Sequence, residues 1–318
     1  MFERQTVGNS LLPPHGPSAG PTAVRSKNEI ARVRQNGRHL AELFQTLSRR
    51  IEPGITGLDI ETFVRSFLER RDLMPALRGY RGYPAACCVS PGLVAVHGVP
   101  DDNPIARGEL VTVDVAVERG GWIADAAWTF AVGPVDADRA RRLKGAYAAC
   151  MAGIGVLADN VSLARVARTA RRAAEAYGLV VLPECCGHGV GRALHESPTM
   201  PYHLDDEDWP NASDSPETGG SPHAVDRPHA VDRPHTLDRP HAGTASKSAT
   251  VHTGQIITVE PVVSLSDEVL VPREDGYGLV AAGGSPCAQF EHTVAIEQGR
   301  ARILTGSRAD DVDFPPFF

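Results

Sequence analysis

The stretch LVTVDVAVERGGWIADAAWTFAV, residues 110–132, decides the fold class. Branched and aromatic apolar residues dominate both of its halves, which is typical of buried β-strands, and the central Arg119-Gly120-Gly121 is a turn signal. We therefore predict a hairpin whose strands cover residues 110–118 and 122–132. An antiparallel sheet is thus the expected frame of the molecule.

Two aspartates, Asp114 and Asp125, lie inside these apolar strands, where aspartate is depleted. A two-residue turn centred on Arg119-Gly120 would make them direct cross-strand partners, with Cβ atoms about 4.5–5.5 Å apart on one face. Like charges opposed in a half-buried sheet destabilise it unless a proton or a cation lies between them. This pairing favours a metal site; the alternative is a one-residue slip, which would put the two carboxylates on opposite faces.

Three further residues are candidate ligands. Glu260 lies in IITVEP and Glu291 in QFEHTVAI, both apolar strand patterns, and His188 lies in the glycine-rich CCGHGVG. Carboxylates with one imidazole suit Mn, Fe, Co or Zn, and a pair of divalent ions about 3.5–4 Å apart balances four carboxylates better than one ion does. The alternative for each residue alone is an exposed strand-end glutamate or a structural histidine.

Outward from the hairpin, the sequence predicts two helices, strands, two more helices and further strands. A capping box at Ser26 and Glu29 starts the first helix, which runs to about Arg50, and Thr56 and Asp59 start the second. This order indicates a weak internal duplication in one α+β domain, with helices on one face of an antiparallel sheet. The other predicted elements are helices 137–158 and 162–177 and strands 85–90, 92–97, 179–183, 256–263 and 289–296.

Two segments depart from this pattern. Residues 1–24 are rich in Pro, Gly and Ser, and we predict a flexible tail there. Residues 205–250 begin with an acidic stretch and continue into a PHAVDR repeat at 222–243, whose regular prolines forbid a continuous helix. We predict a disordered insert at 205–250 within a catalytic domain that spans 25–318. The alternative is a metal-binding array formed by the repeat histidines His223, His229, His235 and His241.

Composition narrows the class of protein. The 318 residues carry 39 acidic against 32 basic side chains, for a net charge of -7, which argues against a nucleic-acid binder that neutralises phosphates. No apolar run reaches about 18 residues, so we expect no membrane span. The first residues lack a secretory signal pattern, and six cysteines that include two adjacent pairs suit reduced thiols. We therefore predict a cytoplasmic protein.

Several motifs, taken in order, resemble those of type I methionine aminopeptidases of the pita-bread fold. The resemblance covers roughly residues 25–318 apart from the insert, and every metal-site motif of the family is present. It implies a curved antiparallel sheet with two pairs of helices in a pseudo-two-fold arrangement. The motifs are GYRGYPAACCVS, VAVHGVPDD, LVTVDVAVE, GWIADAAWTF, CCGHGVGRALHESP, IITVEP and QFEHT.

The resemblance also implies roles for individual residues. Two divalent ions, Co, Mn, Fe or Zn, would lower the pKa of a water that attacks the first peptide carbonyl. Glu260 would also accept a proton, His195 would donate a hydrogen bond to the carbonyl oxygen, and His97 would contact the scissile amide. The implied metal ligands are Asp114, Asp125, His188, Glu260 and Glu291, with Asp125 and Glu291 bridging the ions.

The family's substrate pocket matches Tyr80, Tyr83 and Cys88, together with Leu194. The alternative is ordinary core packing for the tyrosines and an inert buried thiol for the cysteine. The chain departs from the family at Ala126-Ala127, where hydroxyl side chains are usual, and at Leu194, where an aromatic is more usual. These departures put metal affinity and pocket shape in question.

The leading functional prediction is removal of the initiator methionine from nascent polypeptides, near the ribosome, when the next residue is small. We expect a monomer that does not bind nucleic acid directly. One alternative is a related pita-bread enzyme, such as an X-Pro aminopeptidase, a prolidase or a creatine-type hydrolase, although such relatives carry a substantial N-terminal domain. The other is a non-catalytic pita-bread binding module, a class that loses metal ligands.

Overall fold

The structure is a computed structural model that describes residues 22–202 and 249–306. The predicted N-terminal tail and the predicted insert lie almost wholly outside these ranges, and the PHAVDR repeat lies entirely outside them. None of the helices in the described ranges combines the length and the apolar character that crossing a bilayer requires.

The first half of the chain forms two helices followed by a sheet. The predicted capping boxes are confirmed: the Ser26 side chain accepts from the backbone N–H of Glu29, and the Thr56 side chain accepts from that of Asp59. The elements are α1 (Lys27–Leu47), α2 (Gly57–Glu69), β1 (Met74–Pro75), a 3-10 turn (Tyr80–Gly82), β2 (Cys88–Pro91), β3 (Val94–Val96), β4 (Leu110–Arg119) and β5 (Trp122–Ala131).

The second half repeats the order of two helices followed by strands. Asp136 caps the first helix of this half and Ser162 caps the second. The elements are α3 (Ala137–Val156), β6 (Val161–Ser162), α4 (Leu163–Glu175), β7 (Val180–Val181), β8 (Cys186–Gly189), β9 (Glu196–Pro201), β10 (Thr250–Val251), β11 (Ile256–Val259), β12 (Val262–Ser264), β13 (Leu270–Pro272), β14 (Leu279–Ala281), β15 (Ala288–Gln289), β16 (His292–Glu297) and β17 (Arg300–Ile303).

Two antiparallel sheets form the frame of the site. The first has the order β1-β4-β2, with β5 also paired to β4, and the second has the order β17-β16-β11-β8-β9. A bridge between Trp128 and Phe290 joins them, and the two rings meet edge to face at 4.7 Å. α1 packs on the β4–β5 hairpin and α3 packs on α4. The α+β class and the antiparallel pairing are confirmed.

The register of the β4–β5 hairpin corrects one prediction. The turn lies at Gly120-Gly121, not at Arg119-Gly120, because its two central residues both have positive φ, 63° and 75°, as in a type I′ turn, and glycine adopts positive φ more readily than arginine. Asp114 therefore pairs with Ala127, and Asp125 pairs with Ala116. The two aspartates share one face, as predicted, but they are diagonal neighbours and not direct partners.

Two predicted strands are interrupted at predicted metal ligands, Glu260 and Glu291. The predicted strand 256–263 divides into β11 and β12 around Glu260-Pro261, since proline has no N–H to continue a ladder. The predicted strand 289–296 divides into β15 and β16 around Phe290-Glu291. Both glutamates thus lie in breaks between strands. Glu291 is buried at 2% exposure, which excludes the alternative of an exposed strand-end glutamate.

Candidate metal centre

Three acidic or imidazole side chains from different strands converge in the space between the sheets. Asp125 on β5, His188 on β8 and Glu291 before β16 are all buried, and each offers a ligand atom within 4.8 Å of the others. The His188 Nε2 atom lies 3.9 Å from Asp125 Oδ2 and 3.3 Å from Glu260 Oε1. The predicted ligands from three distant parts of the chain therefore meet in one cluster.

Asp114 belongs to the same cluster through its neighbours. After burial, the charges of Asp125 and Glu260 are the main causes that raise the pKa of Asp114, so both carboxylates lie close to it. The arrangement brings all five predicted ligands together: Asp114, Asp125, His188, Glu260 and Glu291.

Burial disfavours the ionised form of the carboxyl groups in this cluster. It raises the pKa of Asp125 to about 7 and that of Glu260 to about 8, where the Asp125 charge adds to the effect. The pKa values of Asp114 and Glu291 also lie well above the usual range, first because of burial and then because of neighbouring carboxylates. Burial lowers the pKa of His188 to about 4, so its imidazole is neutral and suited to bind a cation at neutral pH.

Buried carboxylate oxygens without hydrogen-bond partners indicate whether a metal ion fits this cluster. Asp114 Oδ1, Asp125 Oδ1 and Glu291 Oε1 are buried and have no hydrogen-bond partner among the described residues. A buried polar atom without a partner costs roughly 1–3 kcal/mol, and a buried carboxylate costs more. Divalent cations bound between these oxygens would give all three a partner and would neutralise the negative charges of the neighbouring carboxylates. The residues present therefore fit hard or borderline divalent ions.

Threonine hydroxyls hold the ligands in place. Thr258 donates to Glu260 Oε1 at 2.6 Å and accepts from the backbone N–H of His188 at 3.0 Å. Thr293 accepts from the backbone N–H of Asp125 at 3.0 Å and donates to its carbonyl oxygen at 2.7 Å. Such outer contacts fix ligand orientation. Thr293 had no signal in the sequence.

Tyr202 is a residue that the sequence did not single out. It is fully buried, and its hydroxyl oxygen accepts a hydrogen bond from the backbone N–H of Glu260 at 2.7 Å. Glu260 lies in the break between β11 and β12, so no strand partner is available to this N–H in the ladder. Tyr202 thus supports the backbone from which a metal ligand projects.

His195 borders the metal centre. Its ring centroid lies 4.1 Å from that of His188, and the Tyr80 hydroxyl lies 2.8 Å from its Nδ1 atom. His97 follows β3 and has a left-handed φ of 57°, which is uncommon for a residue other than glycine. The roles implied for both histidines stay predictions.

The predicted pocket residues lie beside the carboxylates. Cys88 is the direct cross-strand partner of Asp114, and it packs in a small buried cluster with Tyr83 and Ala85. The Tyr83 hydroxyl donates to the Gly98 carbonyl oxygen at 2.8 Å. Tyr277, which sequence reasoning missed, packs edge-on against Tyr83 with centroids 5.3 Å apart. Burial raises the pKa of Cys88 well above its usual range, so its thiol acts as a neutral apolar group.

Comparison with known proteins agrees with this geometry. The family model described as metallopeptidase family M24 matches residues 31–298. Methionine aminopeptidase 1 of Bacillus subtilis is 25% identical over 281 residues, covering 88% of this chain and 98% of that protein. The methionine aminopeptidase of Rickettsia prowazekii is 25% identical over 295 residues, covering 92% and 98%.

Comparison with solved structures also finds methionine aminopeptidases. A methionine aminopeptidase from Thermotoga maritima is 29% identical, with a TM-score of 0.74, and it covers 90% of this chain and 100% of that one. A prolidase from Pyrococcus furiosus, 16% identical with a TM-score of 0.61, shares the fold but is matched over only 66% of its own length. The predicted pita-bread fold is confirmed.

Proposed function

The chain belongs to metallopeptidase family M24, and we propose that it removes the N-terminal methionine from polypeptides whose next residue is small. The buried cluster of Asp125, His188 and Glu291, in a chain that matches methionine aminopeptidases over nearly their whole length, carries this proposal. The prolidase-type alternative is not favoured, because those relatives match over about two thirds of their length.

Five side chains would hold two divalent ions. When bound, the ions would supply Lewis-acid stabilisation of the developing oxyanion and lower the pKa of a water. Two observations support the donor set: the three buried oxygens without a hydrogen-bond partner, and the neutral imidazole of His188. The proposed ligands are Asp114, Asp125, His188, Glu260 and Glu291.

The chain's own residues would supply proton transfer and orientation. Glu260, with a pKa of about 8, is able to hold a proton on its carboxylate near neutral pH and to release it again. His195 would donate a hydrogen bond to the carbonyl oxygen of the first residue, and His97 would contact the scissile amide. The buried Tyr83 and Cys88 would contact the methionine side chain and exclude water.

We also propose where the enzyme acts. Its substrates would be nascent polypeptide N-termini near the ribosome, and the enzyme would act as a cytoplasmic monomer. The six cysteines support a reducing compartment, since all six are free thiols.

The test is a peptide assay. With Co²⁺ or Mn²⁺, the full-length chain is expected to release Met from Met-Ala peptides, and Asp114→Asn is expected to abolish the release. Asp138→Asn is the matched control, because Asp138 is exposed on α3 and should leave the release intact. Cleavage of X-Pro peptides without Met release would contradict the specificity. Binding of less than one divalent ion per chain would instead indicate a binding module.

A further inference from the structure

His195 stands between the metal centre and an aromatic side chain. It lies directly before β9, and its ring is tilted against the ring of His188. The Tyr80 ring also stacks on it, with centroids 5.2 Å apart and planes 28° apart. The Tyr80 hydroxyl is 2.8 Å from Nδ1, so one imidazole nitrogen has a defined hydrogen bond.

The direction of this hydrogen bond decides which nitrogen of His195 carries the proton. A neutral imidazole has one N–H and one acceptor nitrogen. If Tyr80 donates to Nδ1, the proton of His195 lies on Nε2, which is then a donor. If Nδ1–H donates to the tyrosine oxygen, Nε2 is only an acceptor and is unable to stabilise an oxyanion.

Arg81 favours donation from Tyr80 to His195. Its side chain is hydrogen-bonded to the Tyr80 oxygen, and its guanidinium carbon lies 5.4 Å from the Tyr80 ring centroid. Arginine is donor-only, so the Tyr80 oxygen accepts from Arg81, and the positive charge beside that oxygen makes it a weaker second acceptor and makes its O–H a stronger donor towards His195 Nδ1. Arg81 reaches this position with a left-handed φ of 49°, which is uncommon for arginine.

We propose that Tyr80, supported by Arg81, is a positioning residue that fixes His195 in the Nε2–H tautomer. Sequence resemblance assigned Tyr80 only to the apolar pocket; the hydrogen bond gives it a second task. The inference rests on the proposed function only in its last step, the hydrogen bond from Nε2–H to the substrate carbonyl oxygen. The tautomer itself is measurable without substrate.

Long-range ¹H–¹⁵N correlation spectra of the histidine rings test the tautomer. The full-length chain would be labelled on its histidine rings and recorded with diamagnetic Zn²⁺ and again in chelator. The His195 signals would be assigned by their disappearance in His195→Gln. The expected spectrum has a protonated Nε2 and a pyridine-like Nδ1. A protonated Nδ1 in the wild-type chain would overturn the proposal.

Tyr80→Phe keeps the ring and removes the hydroxyl. The expected result is a mixture of His195 tautomers, with kcat reduced by about tenfold and KM for the methionine peptide unchanged within about twofold. The loss is bounded by the roughly 10²–10³-fold effect of deleting one oxyanion donor. An unchanged His195 spectrum would refute the proposal whatever the activity.

Two further variants separate this role from packing. Tyr83→Phe removes a hydroxyl that donates to backbone carbonyls, so it should leave the His195 tautomer unchanged. Arg81→Asn keeps a residue type that tolerates the left-handed conformation, and it should shift the tautomer in the same direction as Tyr80→Phe, to a smaller extent. If the wild-type chain shows the Nε2–H tautomer but releases no methionine, the proposed function fails and the positioning role stands.

Discussion

Removal of bound metal should make the folded protein less stable as the pH rises above neutrality. The perturbation is a chelator together with a change from about pH 6.5 to about pH 8. The folded state raises the pKa of Asp125 from 3.8 to about 7 and that of Glu260 from 4.5 to about 8. In this window the unfolded chain has already released both protons while the folded chain still binds part of them, so stability falls with increasing pH.

The magnitude follows from these pKa values. Between the two pH values, Asp125 contributes roughly 1 kcal/mol and Glu260 roughly 2 kcal/mol of lost stability, about 2–3 kcal/mol together. Asp114 and Glu291 act in the same direction, because their pKa values are also raised. Burial lowers the pKa of His188 to about 4 and that of His292 to about 3, so the unfolded chain alone releases histidine protons at the start of this window, and each histidine opposes the fall in stability by only about a few tenths of a kcal/mol.

Urea unfolding followed by the fluorescence of the buried Trp122 and Trp128 measures this free energy. In chelator, the double variant Asp125→Asn, Glu260→Gln should lose the part of the pH dependence that Asp125 and Glu260 contribute, about 2–3 kcal/mol, and should keep the part due to Asp114 and Glu291. With Mn²⁺ the trend should reverse, because metal binding releases protons and the gain in stability from metal therefore grows with pH. A chelator-treated wild-type chain that is equally or more stable at pH 8 would refute the electrostatic account of the cluster.

Other expected outcomes concern the supports of the site. Tyr202→Phe removes the acceptor of the Glu260 N–H and should weaken metal binding by about 10–100-fold, measured by calorimetry; unchanged affinity would show that this hydrogen bond does not position the ligand. Gly187→Ala should lower the free energy of unfolding by about 1–3 kcal/mol, because its Cβ would lie 2.6 Å from the Thr258 carbonyl oxygen. Gly155→Ala, whose Cβ meets no atom within 4 Å, is the helical control and should stabilise by about 0.5–1 kcal/mol in the same urea titration.

Local patterns were sufficient for the strands and the shared face of the hairpin, and they were insufficient for its exact register. Alternation places Asp114 and Asp125 on one face in either register, because moving the turn by one residue shifts the pairing by two. The turn itself was misplaced because Arg119-Gly120 and Gly120-Gly121 are both plausible turn pairs. The positive φ that both central residues require favours the pair of glycines.

The supports of the site depend on contacts that no local pattern contains. Tyr202 lies 58 positions from Glu260, and Thr293 lies 168 positions from Asp125. Tyrosine and threonine are ordinary residues of buried strands, so their type carries no signal until the fold brings them to a backbone group that lacks a partner. Rare residue types, such as aspartate within an apolar strand, were the ones that sequence reasoning could find.

The structure also bears on Ala126-Ala127, where the resembling family usually has hydroxyl side chains. The Ala126 side chain lies on the opposite face of β5 and packs in the core, so only the backbone of this residue is near the carboxylates. Ala127 is fully buried opposite Asp114, and its carbonyl oxygen, which does not depend on the side chain, accepts from the Glu291 N–H at 2.9 Å.

Thr293 hydrogen-bonds to both the N–H and the carbonyl oxygen of Asp125. The backbone of this ligand is therefore held without hydroxyl side chains at positions 126 and 127. A hydroxyl at position 127 would face the buried Asp114 Oδ1, which now has no partner among the described residues, and would compete with a cation for that oxygen. The two alanines therefore leave the ligand positions supported and the oxygens available to metal, and they do not by themselves indicate a weakened enzyme.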